Sequence, residues 1–535
     1  MDGKRDFIKG AVILSISGIL VKLLGAALRI PIANKLGEGM AYYNVAYTIY
    51  AIFLVLATAG IPVAVSRMVS ERTAVGNEAG ARKVFVTALK LMAVIGAAAF
   101  AICFFGADLI AFVIDIPGSQ NSLRSIAPAL CIVPLLAAFR GYFQGQQDMR
   151  PTAVSEVCEQ VVRVAAGLGL GFYLYDEGLD IAAAGATFGA VAGAAAGMSV
   201  MGLIYWRRRR QCRKTAERLG DDVCNASART ESSVEILKKI AWIAVPIVIG
   251  AEIMPLMSAI DTTLVVSRLK DTGWEAGAAL NLYNQYGAYC DTLISLPQTF
   301  TQAIAVSLVP SIAAFYWQGR KGKVQENIQI SMRMTMLLAC PCAVGLFVLA
   351  KPILLLLYFN QRENALQAVP TLQVMTIGVI LLAVVQTTTG ALQSVGRQMK
   401  PVRNMAVGAV LKAVLTYVLV GIPAIHVKGA ALGTSGAYLA ALILNLYEVK
   451  KETGVHFPLV QTYVKPMAAS VIMGLCAYGS YNVISAWAGN AAGVFGSILL
   501  SIGAYCVLVL RMKAVSPAEL SALPGGEFLM RIFRV

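Results

Sequence analysis

The chain has few of the side chains on which most enzymes and metal sites depend. It contains 2 histidines in 535 residues, and charged residues make up 14% of the composition, against about 25% in soluble proteins. His426 and His456 do not have the spacing of metal ligands, and no Walker A sequence is present. The 10 cysteines are scattered, which excludes a disulfide framework. The sequence therefore predicts no enzyme, no cofactor and no bound metal.

Apolar residues dominate the rest of the composition. Hydrophobic residues make up 58% of the chain, and its mean hydropathy is +0.69. Because a helix needs about 20 mostly apolar residues to cross a bilayer, we expect an all-α integral membrane protein with about 14 transmembrane helices. The candidate spans are 8–31, 40–66, 84–106, 124–145, 152–175, 181–206, 238–266, 278–312, 328–349, 367–394, 403–422, 429–448, 462–485 and 489–511.

The net charge of +16 is explained by membrane topology rather than by nucleic-acid binding. Most lysines and arginines fall in alternate loops, on the side of the N-terminus, including 67–83, 207–239 and 450–465. Because positively charged loops stay in the cytoplasm, both termini are expected there. Membrane lipids are therefore expected partners, and nucleic acid is not.

The chain repeats itself at an offset of roughly 240 to 250 residues. YFQGQQDMRP (142–151) returns as ALQSVGRQMKP (391–401), and YYNVAY (42–47) returns as LYNQYG (282–287). An even number of spans per copy keeps the two copies parallel, which predicts two six-helix lobes. The expected domains are an N-lobe (1–206, spans 1–6), a cytoplasmic basic linker (207–237), a C-lobe (238–450, spans 7–12), spans 13–14 (451–512) and a cytoplasmic tail (513–535).

Two motifs resemble a known group of transporters. GIPVAVSRMVSE (60–71) at the end of the second span, with the glutamine-bearing turn and Met-Arg-Pro after the fourth, resembles the multidrug/oligosaccharidyl-lipid/polysaccharide (MOP) exporter superfamily. The opening segment, the SRMVSE turn and the length are similar to the branch of stage V sporulation protein B and MurJ-type lipid II flippases. The resemblance implies two lobes around a central cavity that opens alternately to either side of a bacterial cell membrane. It also implies a polyprenyl-pyrophosphate-linked glycan as partner, with wall-synthesis enzymes as further candidates, and a groove for the lipid tail on 451–512.

The same resemblance implies basic residues along the cavity on the first, second and eighth helices. Lys22 and Arg29, two turns apart on one face of the first span, and Arg67 on the second match this pattern. The eighth span departs from it, with no lysine or arginine inside and a polar stripe suited to sugars or peptide instead. The expected substrate-binding residues are Lys22, Arg29, Arg67, Asn44, Asn284, Asp291 and Gln298. The alternatives are snorkelling or carboxylate pairing for Lys22 and Arg29, and positive-inside topology alone for Arg67.

Other charges inside the spans fall at positions that favour ion pairs. Glu159 and Arg163 are four residues apart on the fifth span. Glu252 and Asp261 lie on the seventh span, and Lys412 on the eleventh is expected to face one of these two carboxylates as the counter-charge of the C-lobe. Structural pairing is the expected role of these residues. The alternatives are ion coupling through Glu252 or Asp261 and substrate contact through Lys412.

These observations predict a flippase that moves a lipid-linked cell-wall precursor of the lipid II type from the inner to the outer leaflet. No bond is broken, since the work is alternating access. A MATE-like cation-coupled multidrug exporter is the alternative within transport, and the two extra spans and Lys22 and Arg29 count against it. A non-transporting membrane scaffold for wall synthesis or sporulation is the alternative of another class. A scaffold would not need polar groups buried along helices one and eight.

Overall fold

The computed structural model describes residues 2–219, 231–512 and 514. Within these ranges all secondary structure is helical, and the predicted all-α membrane fold is confirmed. Two predicted regions are not fully described: the basic linker lacks its middle part, and the cytoplasmic tail lacks nearly all of its residues. The residues concerned are 220–230 of the linker and 513–535 of the tail, of which only Ala514 is described.

Helices α1 to α11 form the first part of the described chain, with a 3-10 turn at Gly37–Gly39. They are α1 (Asp2–Leu36), α2 (Met40–Thr58), α3 (Ile61–Ala74), α4 (Glu78–Phe105), α5 (Ala107–Ile114), α6 (Ser119–Ile126), α7 (Ala129–Gly145), α8 (Arg150–Tyr173), α9 (Leu179–Leu219), α10 (Ser233–Asp271) and α11 (Ala276–Asn284).

A π-helical turn, Gln285–Cys290, joins α11 to the second part of the chain. There follow α12 (Asp291–Trp317), α13 (Lys321–Val348), α14 (Ala350–Leu357), α15 (Arg362–Ser394), α16 (Met399–Val420), α17 (Lys428–Thr453), a second π-helical turn (Val460–Val464) and α18 (Lys465–Arg511).

In the described part of the chain, 10 helical stretches are long and apolar enough to cross a membrane. Two of them, Leu20–Ala74 and Val460–Arg511, each contain two predicted spans, separated by the 3-10 turn after α1 and by a kink at Gly489. The predicted fifth and eighth spans fold as α8 and as α11 with α12. Each predicted span therefore overlaps at least one helix.

The two copies of the repeated glutamine motif fold into the same turn. Gln147 and Gly396 each follow a helix end with a left-handed backbone, at φ 62° and 77°. In both copies the amide of the next residue donates to the carbonyl five residues earlier, at 3.1 Å and 2.9 Å. This bond pattern caps the carbonyls of the helix that ends, and it turns the chain into α8 and into α16.

By packing, the chain divides into two compact units. The first unit holds the described residues up to Lys270, together with Glu275–Asn284. The second unit holds Asp271–Trp274 and the described residues from Gln285 onward. The predicted eighth span is therefore divided, because α11 lies in the first unit and α12 in the second.

Helix α10 packs in the first unit, although the sequence repeat counts it as the first helix of the C-lobe. Ile236, Ile240 and Ala244 of α10 are buried in a core that also contains residues of α3, α4 and α7. A Cβ added to Gly60 would lie 2.4 Å from the carbonyl oxygen of Ala244. Only a glycine permits this approach, which brings α10 against the start of α3. The domain boundaries that were inferred from the sequence repeat remain a prediction.

Glycines of α9 allow α8 to pack closely against it in the first unit. A Cβ at Gly189 would lie 2.6 Å from the carbonyl oxygen of Arg163, and a Cβ at Gly193 would lie 2.5 Å from that of Glu159. The small residues of α9 therefore act in helix packing. They also hold the segment of α8 that carries these two charged side chains.

The second unit is built on α12, α13 and α15 to α18. Helix α15 packs against α12, α13 and α17, while α16 runs along α17 and α13 packs against α18. A Cβ at Gly408 of α16 would lie 2.6 Å from the carbonyl oxygen of Ala437 on α17. At Gly489 the backbone has φ 79°, which breaks α18 into two helices.

Candidate functional site

Lys22 and Arg29, the two cations of α1 that the sequence assigned to substrate, have different surroundings. Lys22 is exposed and makes no hydrogen bond or ion pair with any side chain that the structure describes. Arg29 is half-buried, and its Nη2 donates to Oδ1 of Asn44 at 3.0 Å. The seven residues between them are two helical turns, so both side chains leave the same face of α1.

Asn44 lies on α2 next to three tyrosines whose rings contact one another. It is 4% exposed, and it reaches Arg29 because the 3-10 turn at Gly37–Gly39 folds α2 back beside α1. The ring centroids of Tyr43 and Tyr47 are 4.5 Å apart, and those of Tyr47 and Tyr50 are 5.9 Å apart. These rings fix one face of α2 inside the first unit.

A second polar cluster lies on α7 and α8. Oε1 of Glu159 accepts from Arg163 at 2.5 Å, and its Oε2 accepts from Arg140 at 2.9 Å. The three side chains are between 13% and 18% exposed. Nε of Arg140 also donates to Ser155 at 3.2 Å.

Sequence reasoning found two members of this cluster and missed Arg140. The i,i+4 spacing of Glu159 and Arg163 on one helix can be read directly from the chain. Arg140 comes from another helix, and its only signal is an arginine within the apolar fourth span. A cation in such a position needs a partner, but spacing does not say which one.

Arg67 is paired locally on α3. Its Nε donates to Glu71 at 3.0 Å, one helical turn away, and the two side chains are 63% and 58% exposed. This contact is an exposed i,i+4 pair. Its assignment to substrate remains a prediction.

The predicted polar stripe of the eighth span has residues on both α11 and α12, with the π-helical turn Gln285–Cys290 between them. Nδ2 of Asn284 donates to the carbonyl oxygens of Gly37 and Glu38, at 3.3 Å and 3.0 Å, so that its amide holds α11 to the turn after α1. Asp291 is exposed and Gln298 is half-buried, and both lie on α12, beyond the π-helical turn. Asn284 belongs to the first unit, and Asp291 and Gln298 belong to the second. The assignment of these three residues to substrate remains a prediction.

Glu252 and Asp261, the two carboxylates predicted for the seventh span, are both buried within the first unit. Glu252 is 9% exposed, and neither carboxylate oxygen has a hydrogen-bond partner among the described residues. Asp261 is 5% exposed. Lys412 is buried in the second unit, on the part of α16 that packs against α17. The predicted contact between Lys412 and one of these carboxylates remains a prediction.

No group of three or more histidine, cysteine, aspartate or glutamate residues in the described ranges could hold a metal ion. Lys22 and Arg29 supply hydrogen-bond donors that carry positive charge. A half-buried guanidinium and an exposed ammonium on one helix face can bind an anion by charge-assisted hydrogen bonds.

The chain is similar to proteins of Bacillus subtilis over most of its length. It is 28% identical to the lipid II flippase MurJ of Bacillus subtilis over 483 residues, which covers 88% of this chain and 87% of that protein. It is 26% identical to stage V sporulation protein B of the same organism over 539 residues, covering 99% and 100%. The solved structure of lipid II flippase MurJ in an inward closed conformation has the same fold. The TM-score is 0.67 at 16% identity, with 94% of this chain and 98% of that chain covered.

Family-level similarity identifies the class of the protein. The polysaccharide biosynthesis protein family matches residues 7–316, which is more than half of the chain, and the MatE family matches residues 246–418. The named relatives are flippases and transporters rather than enzymes. The chain belongs to the polysaccharide biosynthesis protein family, within the MOP superfamily of multi-pass membrane transporters.

Proposed function

We propose that this transporter moves a polyprenyl-pyrophosphate-linked glycan of the lipid II type from the cytoplasmic to the outer leaflet by alternating access. The observation that carries the proposal is the pair of cations on one face of α1, Lys22 exposed and Arg29 half-buried beside Asn44. The similarity to lipid II flippase MurJ across 88% of the chain supports the same substrate class.

The physical reason lies in the charge of the headgroup. A pyrophosphate carries concentrated negative charge, which costs many kcal/mol to bring into hydrocarbon without compensation. Arg29 can bind phosphate oxygens through two parallel N–H bonds, and Lys22 supplies a compact second charge. Placing these cations inside a span is itself unfavourable, so their presence favours an anionic ligand over a purely structural role.

The two segments of α18, before and after the kink at Gly489, are proposed to carry the lipid tail. Their surface exposes large apolar side chains, among them Leu475, Tyr478, Phe495 and Leu499. A polyprenyl chain must stay in an apolar environment while its headgroup crosses, because each buried CH2 contributes about 0.8 kcal/mol. In the orientation that the positive loops favour, both termini lie in the cytoplasm.

The test is transport of lipid II in proteoliposomes that contain the purified protein. Lys22→Ala and Arg29→Ala should each abolish flipping while membrane abundance stays normal. Lys90→Ala is the matched control, because Lys90 is an exposed lysine inside the apolar helix α4, and it should flip at the normal rate. Full activity in the Lys22→Ala, Arg29→Ala double variant would contradict the proposal. Efflux of cationic drugs without lipid II flipping would favour the MATE-like alternative, for which the MatE match over 246–418 is the supporting observation.

A further inference from the structure

The eighth span passes from one unit to the other between two neighbouring residues. Nδ2 of Asn284 donates to the carbonyl oxygens of Gly37 and Glu38 in the first unit. Nε2 of Gln285 donates to Oε1 of Gln367 in the second unit, at 2.9 Å. Asn284 and Gln285 are each 1% exposed. Consecutive side chains therefore fasten the same helical span to different units.

Helix α11 is fastened to the first unit at further points. Nδ2 of Asn281 donates to Oε1 of Glu38 at 2.8 Å, about one turn before Asn284. The hydroxyl groups of Tyr283 and Thr262 are 2.9 Å apart, which joins α11 to α10. These contacts hold α11 against the turn after α1 and against α10, so we expect α11 to move with the first unit.

The π-helical turn Gln285–Cys290 is fastened to the second unit by Tyr358. The ring centroids of Tyr289 and Tyr358 are 4.4 Å apart, and Tyr358 is fully buried. The Tyr358 hydroxyl donates toward the carbonyl oxygens of Ala288 and Tyr289, at 3.3 Å and 3.4 Å. Because a π-turn shifts its carbonyls out of the hydrogen-bond pattern of an α-helix, a hydroxyl donor at this place stabilises the π form.

The chain passes between the two units at two other points in the described residues, after Lys270 and after Trp274. Both lie where α10 ends and turns into α11, and Gly273 has φ 92° there. Such a turn absorbs a change of direction through a few backbone dihedrals. The passage after Asn284 falls inside a helical span, where a sharp change of direction needs an irregularity such as a π-turn.

We propose that the π-helical turn Gln285–Cys290 is the hinge of alternating access, with α11 moving as part of the first unit and α12 as part of the second. This inference rests on the proposed function, in which the two units move against each other. Short segments at the ends of helices absorb large φ/ψ changes in hinge motions, and single π-turns inside helices are frequent at functional sites. Tyr358 is then a positioning residue, which holds the hinge in its π form.

The experiment measures distances between two spin labels by double electron–electron resonance, in vesicles with and without lipid II. The labels are attached to cysteines that replace exposed residues, in a background whose reactive native cysteines are serine. Ala276→Cys on α11 and Glu177→Cys just before α9 both lie in the first unit, so their distance should stay constant. Ala276→Cys and Glu363→Cys on α15 lie in different units, so their distance should change when lipid II is added.

Tyr358→Phe tests the hinge itself, because it removes the hydroxyl group and keeps the ring. The rate of lipid II flipping in proteoliposomes should fall about threefold to tenfold, the effect of one lost hydrogen bond. The distances of the second label pair should also be redistributed. Thr335→Val is the matched control, because it removes a buried hydrogen bond to Thr387, at 2.7 Å, that joins α13 to α15 in the second unit. It should lower the melting temperature in detergent and leave the flipping rate and the label distances unchanged.

Three results would overturn the inference, and they separate it from the proposed function. If the distance between the labels at 276 and 177 changes with lipid II, α11 does not move with the first unit, and the inference is wrong while the proposed function stands. If Tyr358→Phe lowers only the melting temperature, as Thr335→Val should, the π-turn is not the hinge. If neither label pair responds to lipid II, the proposed function fails, and this inference fails with it.

Discussion

Removing the charge of Glu159 should destabilise the first unit more than removing any exposed carboxylate. Glu159 is 13% exposed and accepts hydrogen bonds from two arginines, Arg140 at 2.9 Å and Arg163 at 2.5 Å. In Glu159→Gln both guanidinium groups keep their charge, lose the carboxylate that neutralises them, and remain largely buried. The substitution is nearly isosteric, so the effect reports charge rather than packing.

The expected magnitude follows from the burial of the pair. Breaking a buried ion pair by removing one partner costs about 3–5 kcal/mol, because it leaves an uncompensated charge. The glutamine side chain retains one acceptor, so we expect the lower end of that range, about 3 kcal/mol. Glu71→Gln is the matched control. Its pair with Arg67 is also i,i+4, but both side chains are more than half exposed, where such pairs contribute roughly 0.2–1 kcal/mol.

The assay is equilibrium unfolding by sodium dodecyl sulfate in mixed micelles, followed by circular dichroism. A second variant, Glu159→Gln with Arg163→Gln, should recover part of the loss because it removes one of the unpaired charges. Equal stabilities for Glu159→Gln and Glu71→Gln would refute the reasoning, since buried and exposed pairs would then be indistinguishable.

Two further predictions concern α18 and the region before α10. A Cβ at Gly474 would lie 2.7 Å from Cγ1 of Val344, whereas a Cβ at Gly479 would have no atom within 4 Å. Gly474→Leu should therefore lower the melting temperature in detergent, and Gly479→Leu should leave it unchanged. Equal melting temperatures for the two variants would be evidence against close packing at Gly474. The hydrogen bond from Lys239 is the main cause that holds the pKa of Glu231 below its ordinary value. The charge of Glu231 therefore stabilises the fold above about pH 4, which is the pKa of a glutamate in the unfolded chain. This contribution is lost as the pH falls through the lower pKa of the folded state. Melting temperatures of Glu231→Gln and wild type should therefore differ at pH 7 and converge in acid, and a constant difference would argue against the ion pair.

The sequence by itself determined the membrane-spanning helices of this protein. In hydrocarbon the backbone must satisfy its own hydrogen bonds, so a span has to be a long apolar helix, and composition along the chain reveals it. The same helical geometry places Lys22 and Arg29 on one face and brings Glu159 and Arg163 within one turn. These are local relations, and spacing alone determines them.

The partners that come from different helices were decided only by the tertiary structure. Arg140 reaches Glu159 from α7, the amide of Asn44 comes back to Arg29 across a turn, and Asn284 donates to Gly37, 247 residues away. The packing of α10 in the first unit likewise depends on a close approach to α3. Such contacts depend on which side chains meet when helices pack, and the periodicity of a single helix carries no information about its neighbour.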